Sequence, residues 1–258
     1  MTTDLFREQS RRLLEAEAAD LGCGVEALHS HALTVVARPE PQLHRRGRVA
    51  LVSDSGLGTV VSVVPQLVDW VRENAPRDHH FRATQPFFLA AVAQRARELG
   101  FAGARAHGLH LGFALSELRA TPPLPKGYEL REVEREWMER YRPLNVFDNA
   151  IGEDGETDRI ENMLTGFAVF GPDGEPAAVA GVGDEGHGCE EIGVDVRRES
   201  RGLGLAGVVT IAATAYIIAR GRIAYYACGA TNVRSHHNAI ACGFLPLFTH
   251  GMVYTPRL

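Results

Sequence analysis

The stretch Glu199-Ser200-Arg201-Gly202-Leu203-Gly204-Leu205-Ala206-Gly207 decides how the C-terminal half of this 258-residue chain is read. Gly202, Gly204 and Gly207 have the spacing G-x-G-x-x-G, while Arg201, Gly204 and Ala206 spell R-x-x-G-x-A. The first spacing marks a dinucleotide site only when it follows a strand directly, near the start of a βαβ unit. Here Arg197 to Arg201, R-R-E-S-R, separates the glycines from the preceding apolar run, and the next run, I-A-Y-Y-A-C-G-A, ends without the acidic residue that would bind a ribose hydroxyl. No G-K-[ST] follows, which excludes a P-loop. The remaining chain is also too short for the rest of a doubly wound nucleotide domain. What is left is a glycine loop that opens a helix. Glycines let the backbone approach an anion, the first N–H groups and dipole of the helix attract it, and Arg201 adds charge.

Working outward, Glu190 to Val196 (E-E-I-G-V-D-V) reads as the strand before the loop, and a helix runs on to Gly221. Ile223 to Gly229 is a further strand, Asn232 to Phe244 a helix closed by Gly243, and the segment after it a last strand. Upstream, Tyr128 to Val133 is a strand and Glu134 to Tyr141 a helix. Gly166 to Gly183 is a hairpin turned at Pro172-Asp173-Gly174.

Four marks in this order carry a resemblance: the strand ending at Val196, R-G-L-G-L-A (Arg201 to Ala206), N-x-x-S (Asn232, Ser235) and A-x-x-x-G-F (Ala239 to Phe244). From about Tyr128 to Tyr254 the chain resembles the GNAT superfamily of acyl-CoA-dependent N-acyltransferases. The region before Arg119 resembles the N-terminal extensions of a poorly characterised subgroup, through V-V-S-V-V-P-Q-L-V-D-W-V-R-E-N and P-P-L-P-K-G-Y-E-L-R. The resemblance implies an α/β fold with a mixed, mostly antiparallel sheet flanked by helices. It implies acetyl-CoA or another acyl-CoA as co-substrate. Arg201, Gly202, Leu203, Gly204, Leu205 and Ala206 would hold its diphosphate. Val194 and Val196 would offer backbone groups to the pantetheine arm, and Asn232 and Ser235 would lie beside it.

Acyl transfer to an amine needs a base, an oxyanion donor and an acid for the leaving thiolate. Glu190 and Glu191 are the candidate bases, and pleating puts them on opposite faces, with Asp195 on the side of Glu191. Ala239 stands where many family members carry a tyrosine acid. Ser235, His236, His237, Asn238, Tyr225 and Tyr226 are the groups nearby. His236 and His237 diverge on a helix and make a poor metal pair, and no metal is expected. Cys189 and Cys242 lack a readable catalytic partner. The acceptor end falls to Arg142 to Met163, with Asp148, Glu153, Asp154, Glu156 and Asp158; Asn145 and Phe147 are candidate lining residues. So acidic a stretch would favour a cationic amine. A small-molecule primary amine is the expected acceptor. A carrier-protein phosphopantetheine donor and a non-catalytic acyl-CoA-binding module are the alternatives.

The N-terminal stretch reads as a smaller α/β domain. It has an amphipathic helix (Leu5 to Leu21), strands at Ala32 to Ala37 and Thr59 to Val64, helices after Pro65 and around Phe88 to Leu99, and an alternating strand at Leu109 to Leu115. Pro122, Pro123 and Pro125 stiffen a linker at 119–127, which divides the chain into 1–118 and 128–258. A net charge of -5 gives no overall basic field for nucleic acid. The basic run His44 to Arg48 reads as a solvated loop. The four scattered cysteines read as reduced thiols, and with no membrane span or signal-like segment the expected setting is the cytoplasm. The N-terminal domain is open to three roles: shaping the acceptor pocket, mediating a homodimer or binding a carrier.

Overall fold

The computed structural model describes residues 2–39, 47–152 and 161–255. Helix α1 (Thr2–Leu21) leads into strands β1 (Leu33–Ala37), β2 (Arg48–Asp54) and β3 (Thr59–Val63). Helices α2 (Val68–Asn74) and α3 (Pro86–Glu98) follow, then strand β4 (Arg105–Leu115). The order continues with β5 (Glu129–Val133), α4 (Arg135–Tyr141), α5 (Asp148–Ile151), β6 (Met163–Phe170), β7 (Pro176–Gly186) and β8 (Cys189–Val196). Helix α6 (Leu205–Ala219), strand β9 (Ile223–Gly229), helix α7 (Val233–Ala241) and strand β10 (Phe244–Tyr254) complete it.

These elements form two compact units. One comprises Met1–Ser10, Phe113–Ala227 and Val233–Leu245; the other comprises Arg11–Gly112, Cys228–Asn232 and Pro246–Leu258. The division therefore differs from one drawn at residues 119–127, which lie inside the first unit without regular structure. The physical reason is that prolines report local stiffness, whereas a compact unit is defined by which strands and helices close its core.

In the first unit the strands lie in the order β9-β8-β7-β6-β5. All neighbours are antiparallel except β8 and β9, which are parallel. The β6–β7 hairpin turns as its sequence predicts. Asp173 Oδ1 accepts the Glu175 N–H at 3.1 Å, and Gly174 takes the left-handed φ of +80° that a side chain disfavours. Each face of this sheet has its own helices. Phe167 meets Tyr216 of α6, with ring centroids 5.7 Å apart, whereas the neighbouring Ala168 joins a core with Met138, Phe147, Ala150, Ile151 and Val179 under α4 and α5. Helix α6 is buried along much of its length, through Leu205, Val208, Val209, Thr210, Ile211, Ala213, Thr214 and Ile217. Helix α5 sits close because Gly181 is there: a Cβ at that position would overlap the Ala150 carbonyl oxygen.

The second unit has the order β1-β3-β2-β10-β4, with β1 parallel to β3 and the pairs β2–β3 and β2–β10 antiparallel. Its core gathers Val49, Ala50, Val52, Val61, Val63, Leu67, Val71, Phe88, Leu89, Val92 and Val253. Strand β2 is absent from the expected strands, although Val49-Ala50-Leu51-Val52 between Gly47 and Asp54 is the continuous apolar run of a strand buried on both faces. Its consecutive residues Val49 to Ser53 are all buried, so the period-2 alternation of a half-buried strand is absent. Pro65 opens a single 3-10 turn, Pro65–Leu67, ahead of α2. No helix among the described residues is long and apolar enough to cross a membrane.

Candidate active site

The site is built where β8 and β9 part. Their parallel ladder has the rungs Cys189↔Ile223, Glu190↔Ala224 and Glu191↔Tyr225. Strand β8 runs on to Val196, paired with β7 alone through Gly193↔Gly181, Val194↔Ala180, Asp195↔Val179 and Val196↔Ala178. Strand β9 runs on to Gly229. Beyond Glu191 and Tyr225 the edge of β8 is therefore open on the β9 side, the geometry in which an extended chain is taken up by backbone pairing. Val194 and Val196 lie on this open length.

The chain leaves β8 through Arg197, whose N–H bonds the Ala177 carbonyl at 2.9 Å, and a 3-10 turn at Arg198–Ser200. It then enters the glycine loop. Gly202 and Gly204 have φ of +86° and +76°, and a Cβ on either would meet nothing within 4 Å. Glycine is thus demanded by the backbone, while the space beside the loop is open. Gly204 is the N-cap of α6 and offers no side chain to the helix, whose first turn holds no acidic residue. The Gly207 and Val208 N–H groups turn back to the Gly204 carbonyl at 3.1 and 3.4 Å. Those of Leu205 and Ala206 precede any intrahelical acceptor, so the start of α6 presents free donors and its positive dipole end. Arg201 and Leu203 are exposed beside them. The residues Arg201 to Ala206 thus fit a diphosphate.

Register separates the two glutamates. Glu190 shares the face of Ile192 and Val194, on the α6 side; it is fully buried, and Oε1 accepts Arg222 Nε at 3.0 Å. Glu191 shares the opposite face with Asp195 and is partly exposed. Asp195 is committed to α5. Its Oδ2 accepts the N–H groups of Asn149 and Ala150 at 2.7 and 3.0 Å, and Oδ1 accepts Asn149 Nδ2 at 2.8 Å. Burial nonetheless raises its pKa above the usual carboxylate range, the hydrogen bonds from Asn149 and Ala150 opposing the shift.

On β9, the buried Tyr226 is the first residue past the paired rungs. Its hydroxyl and Ser235 Oγ on α7 are 2.8 Å apart. Asn238 Nδ2 donates to Tyr226 at 3.4 Å and to Thr210 Oγ1 at 3.0 Å, and Thr210 donates to the Ala206 carbonyl at 2.8 Å. A continuous polar chain thus runs from half-buried Ser235 to the first turn of α6. Sequence reading had Ser235, Asn238 and Tyr226 as separate possibilities. Helical spacing (i, i+3) could have joined the first two, but only the fold joins Tyr226 to Ser235. Phe113 and Phe244 wall Tyr226 in, with centroids 6.1 and 5.7 Å away.

Asn232 stands immediately before α7, the helix of Ser235, in an exposed turn where its N–H bonds the Gly229 carbonyl at 2.8 Å. Phe147 is core, under Arg197 at 5.8 Å, rather than a lining residue. Asn145 is exposed with a left-handed φ of +49°. Cys242 is buried with its thiol pushed up to about 11 by burial, which suits packing rather than nucleophilic attack. Ala239 is fully buried. Glu153, Asp154, Glu156 and Asp158, with His44 to Arg46, lie outside the described residues. No cluster of metal-binding side chains occurs among the described residues.

No family model matches the chain, and no curated protein matches it. Solved structures do. A Drosophila protein is 16% identical, with 98% of this chain and 89% of that chain covered and a TM-score of 0.53. A tandem GNAT protein from the clavulanic acid biosynthesis pathway is 17% identical over 98% of this chain and 96% of its own, with a TM-score of 0.49. A putative GNAT-family acetyltransferase from Novosphingobium aromaticivorans is 19% identical over 61% of this chain and 69% of its own, with a TM-score of 0.46. At such identities the likeness is one of fold. The chain's own geometry at this place is two parallel strands that part, followed by a glycine loop at the start of a helix.

Proposed function

We propose that the chain is an acyl-CoA-dependent N-acyltransferase that moves an acyl group, most simply acetyl, from coenzyme A to a primary amine of a small molecule. The observation that carries this reading is the pairing of two features. The β8–β9 ladder stops at Glu191↔Tyr225, and the strand that continues alone leads into an open glycine loop at the start of α6. One feature suits an extended pantetheine arm, the other a diphosphate, and the two are consecutive in the chain.

In this reading Glu191 takes the proton of the incoming ammonium, directly or through a water. The freed amine attacks the thioester carbon, and the tetrahedral oxyanion is met by a backbone N–H of β8. The attacking nitrogen gives up its second proton to solvent as the carbon–sulfur bond breaks, leaving an amide and the coenzyme A thiolate. Ser235, half-buried and hydrogen-bonded to Tyr226, hands its proton to the thiolate and is reprotonated from solvent.

Calorimetric titration with acetyl-CoA tests the reading. Wild type is expected to bind in the micromolar range, and Gly204→Glu, which sets a carboxylate against the diphosphate, to lose that binding. An amine panel then follows. Binding without acylation of any amine would favour a non-catalytic acyl-CoA module. If wild type fails to bind, the loop is only a turn or free acetyl-CoA is not the donor, and acylated carrier proteins become the next probe.

A further inference from the structure

A charged cluster in the first unit has no task in the acyl-transfer scheme. Glu190 is fully buried, and its Oε1 lies 3.0 Å from Arg222 Nε and 3.4 Å from Arg220 Nη2. Its Oε2 takes no hydrogen bond from the described residues. Arg222 also reaches back to β7, with Nη2 3.5 Å from Asp184 Oδ1. Arg220 is the C-cap of α6, and Arg222 stands immediately before β9. One guanidinium therefore touches Asp184 of β7 and Glu190 of β8 while leading β9 into the sheet.

Glu190 is fully buried while Arg222 keeps 35% of its side chain exposed, so desolvation of the carboxylate offsets much of the attraction and the pairing is a poor way to gain stability. What the pair does supply is a fixed geometry at one level of the sheet. That level is the centre of the short β8–β9 ladder, where Glu190 faces Ala224 and the strands separate beyond the next rung. So short a parallel pairing has little hold of its own. The Ala224 N–H is in turn fixed by Oε1 of the buried Gln9 of α1, at 3.1 Å. The rung Glu190↔Ala224 is thus held by a side-chain clip on one strand and a side-chain cap on the other.

We propose that Glu190 and Arg222 are positioning residues: the clip sets the point at which β8 and β9 part, and so the gap into which the acyl-pantetheine arm enters, without touching it. The proposal rests on the acyl-CoA reading. It also gives the neighbouring glutamates different work, since Glu191 projects on the other face.

The test measures the acetyl-CoA dissociation constant and thermal midpoint of full-length Arg222→Met, Arg222→Lys and Met138→Ala. The last truncates a fully buried side chain of α4 and serves as a destabilised control, compared through its thermal midpoint. Arg222→Met is expected to weaken binding tenfold or more. Arg222→Lys, which keeps a cation for Glu190, should stay within about threefold of wild type, and Met138→Ala should bind as wild type does. Unchanged binding in Arg222→Met, or equal weakening in Met138→Ala, overturns the proposal. Should Arg222→Met not fold, Glu190→Gln removes only the charge and is judged against the same control by the same two results. Absence of binding by wild type is a separate outcome: it overturns the acyl-CoA reading, and the clip's role with it.

Discussion

Glu190 and Glu191 are adjacent in the chain, yet the pleat buries one against a half-exposed arginine and gives the other to the partly exposed α5 face. Glu191→Gln is isosteric and removes only the base. With whichever amine the panel identifies, kcat/KM should fall by about 10²-fold or more while acetyl-CoA binding stays as in wild type. Unchanged turnover would take Glu191 out of the mechanism. Ser235 and Tyr226 allow a second prediction, because their hydroxyls are 2.8 Å apart in one polar chain. If they pass one proton, Ser235→Ala and Tyr226→Phe should each slow turnover, and the double variant should be little slower than the worse single one. Full additivity would show that they act separately. The glutamate pair and Ser235 were candidates through the family resemblance, by their places on the strand before the loop and in N-x-x-S. Their roles were not legible, since alternation separates two faces without saying which one is covered.

Among the elements, the pieces that position the site were written locally. The Pro172-Asp173-Gly174 turn, the glycines before α6 and Gly243 after α7 each mark a boundary where it is found. Gly243 has φ of +91°, and a Cβ there would overlap the Glu117 carbonyl oxygen, so both the turn and the contact require glycine. Strand β2 lacks alternation because it is buried on both faces, as β3 is, so its apolar run Val49 to Val52 was as open to reading as Thr59 to Val63. Strands β4 and β10 carry a feature that periodicity conceals, a histidine cluster in the second unit. His107 and His110 stack at 4.9 Å, His110 and His250 are 5.7 Å apart, and His250 Nδ1 lies 3.9 Å from Glu17 Oε1 of α1. Burial, first of all, then His250 and His107, with a smaller part from Arg48 of β2, pull the His110 pKa down to about 4, against a hydrogen bond to the Gly108 carbonyl that favours the charged form. A histidine whose pKa is lower folded than unfolded takes up protons on unfolding. Its stabilising contribution is therefore complete above about pH 6.5 and is lost as the pH falls through that value toward 4. Urea midpoints between pH 7 and 4 should drop in wild type and drop less in His110→Gln. Equal slopes would place the acid sensitivity elsewhere.

At the scale of the whole molecule, the proline stretch at 119–127 is the most visible punctuation in the sequence, and the compact units ignore it. The unit that carries β8, the glycine loop and α6 also takes Met1–Ser10 and Phe113 onward, and it gives up Pro246–Leu258 to the other unit. This was illegible because chain order records neighbours along the backbone, whereas a unit closes through contacts between distant segments. Several such contacts can be named. Phe113 packs on Tyr226 and on His236, at 6.1 and 5.8 Å between centroids. The Ser116 N–H and Oγ both reach the Gly243 carbonyl, at 2.8 and 3.0 Å. Gln9 holds the Ala224 N–H. A fragment of residues 128–258, which the punctuation would recommend as a free-standing catalytic domain, lacks all three. It exposes the wall of Tyr226, strips two donors from the turn that ends α7, and leaves a buried β9 N–H without its acceptor, each of the last two costing about 1–3 kcal/mol. Against a typical stability of about 5–15 kcal/mol, those losses with the missing core are enough to prevent folding. The expected result is no cooperative thermal transition and no acetyl-CoA binding for 128–258, with both present in the full chain. A fragment that melts cooperatively and binds would show that the segments from the N-terminal region are dispensable to the unit, and that the proline stretch is the boundary after all.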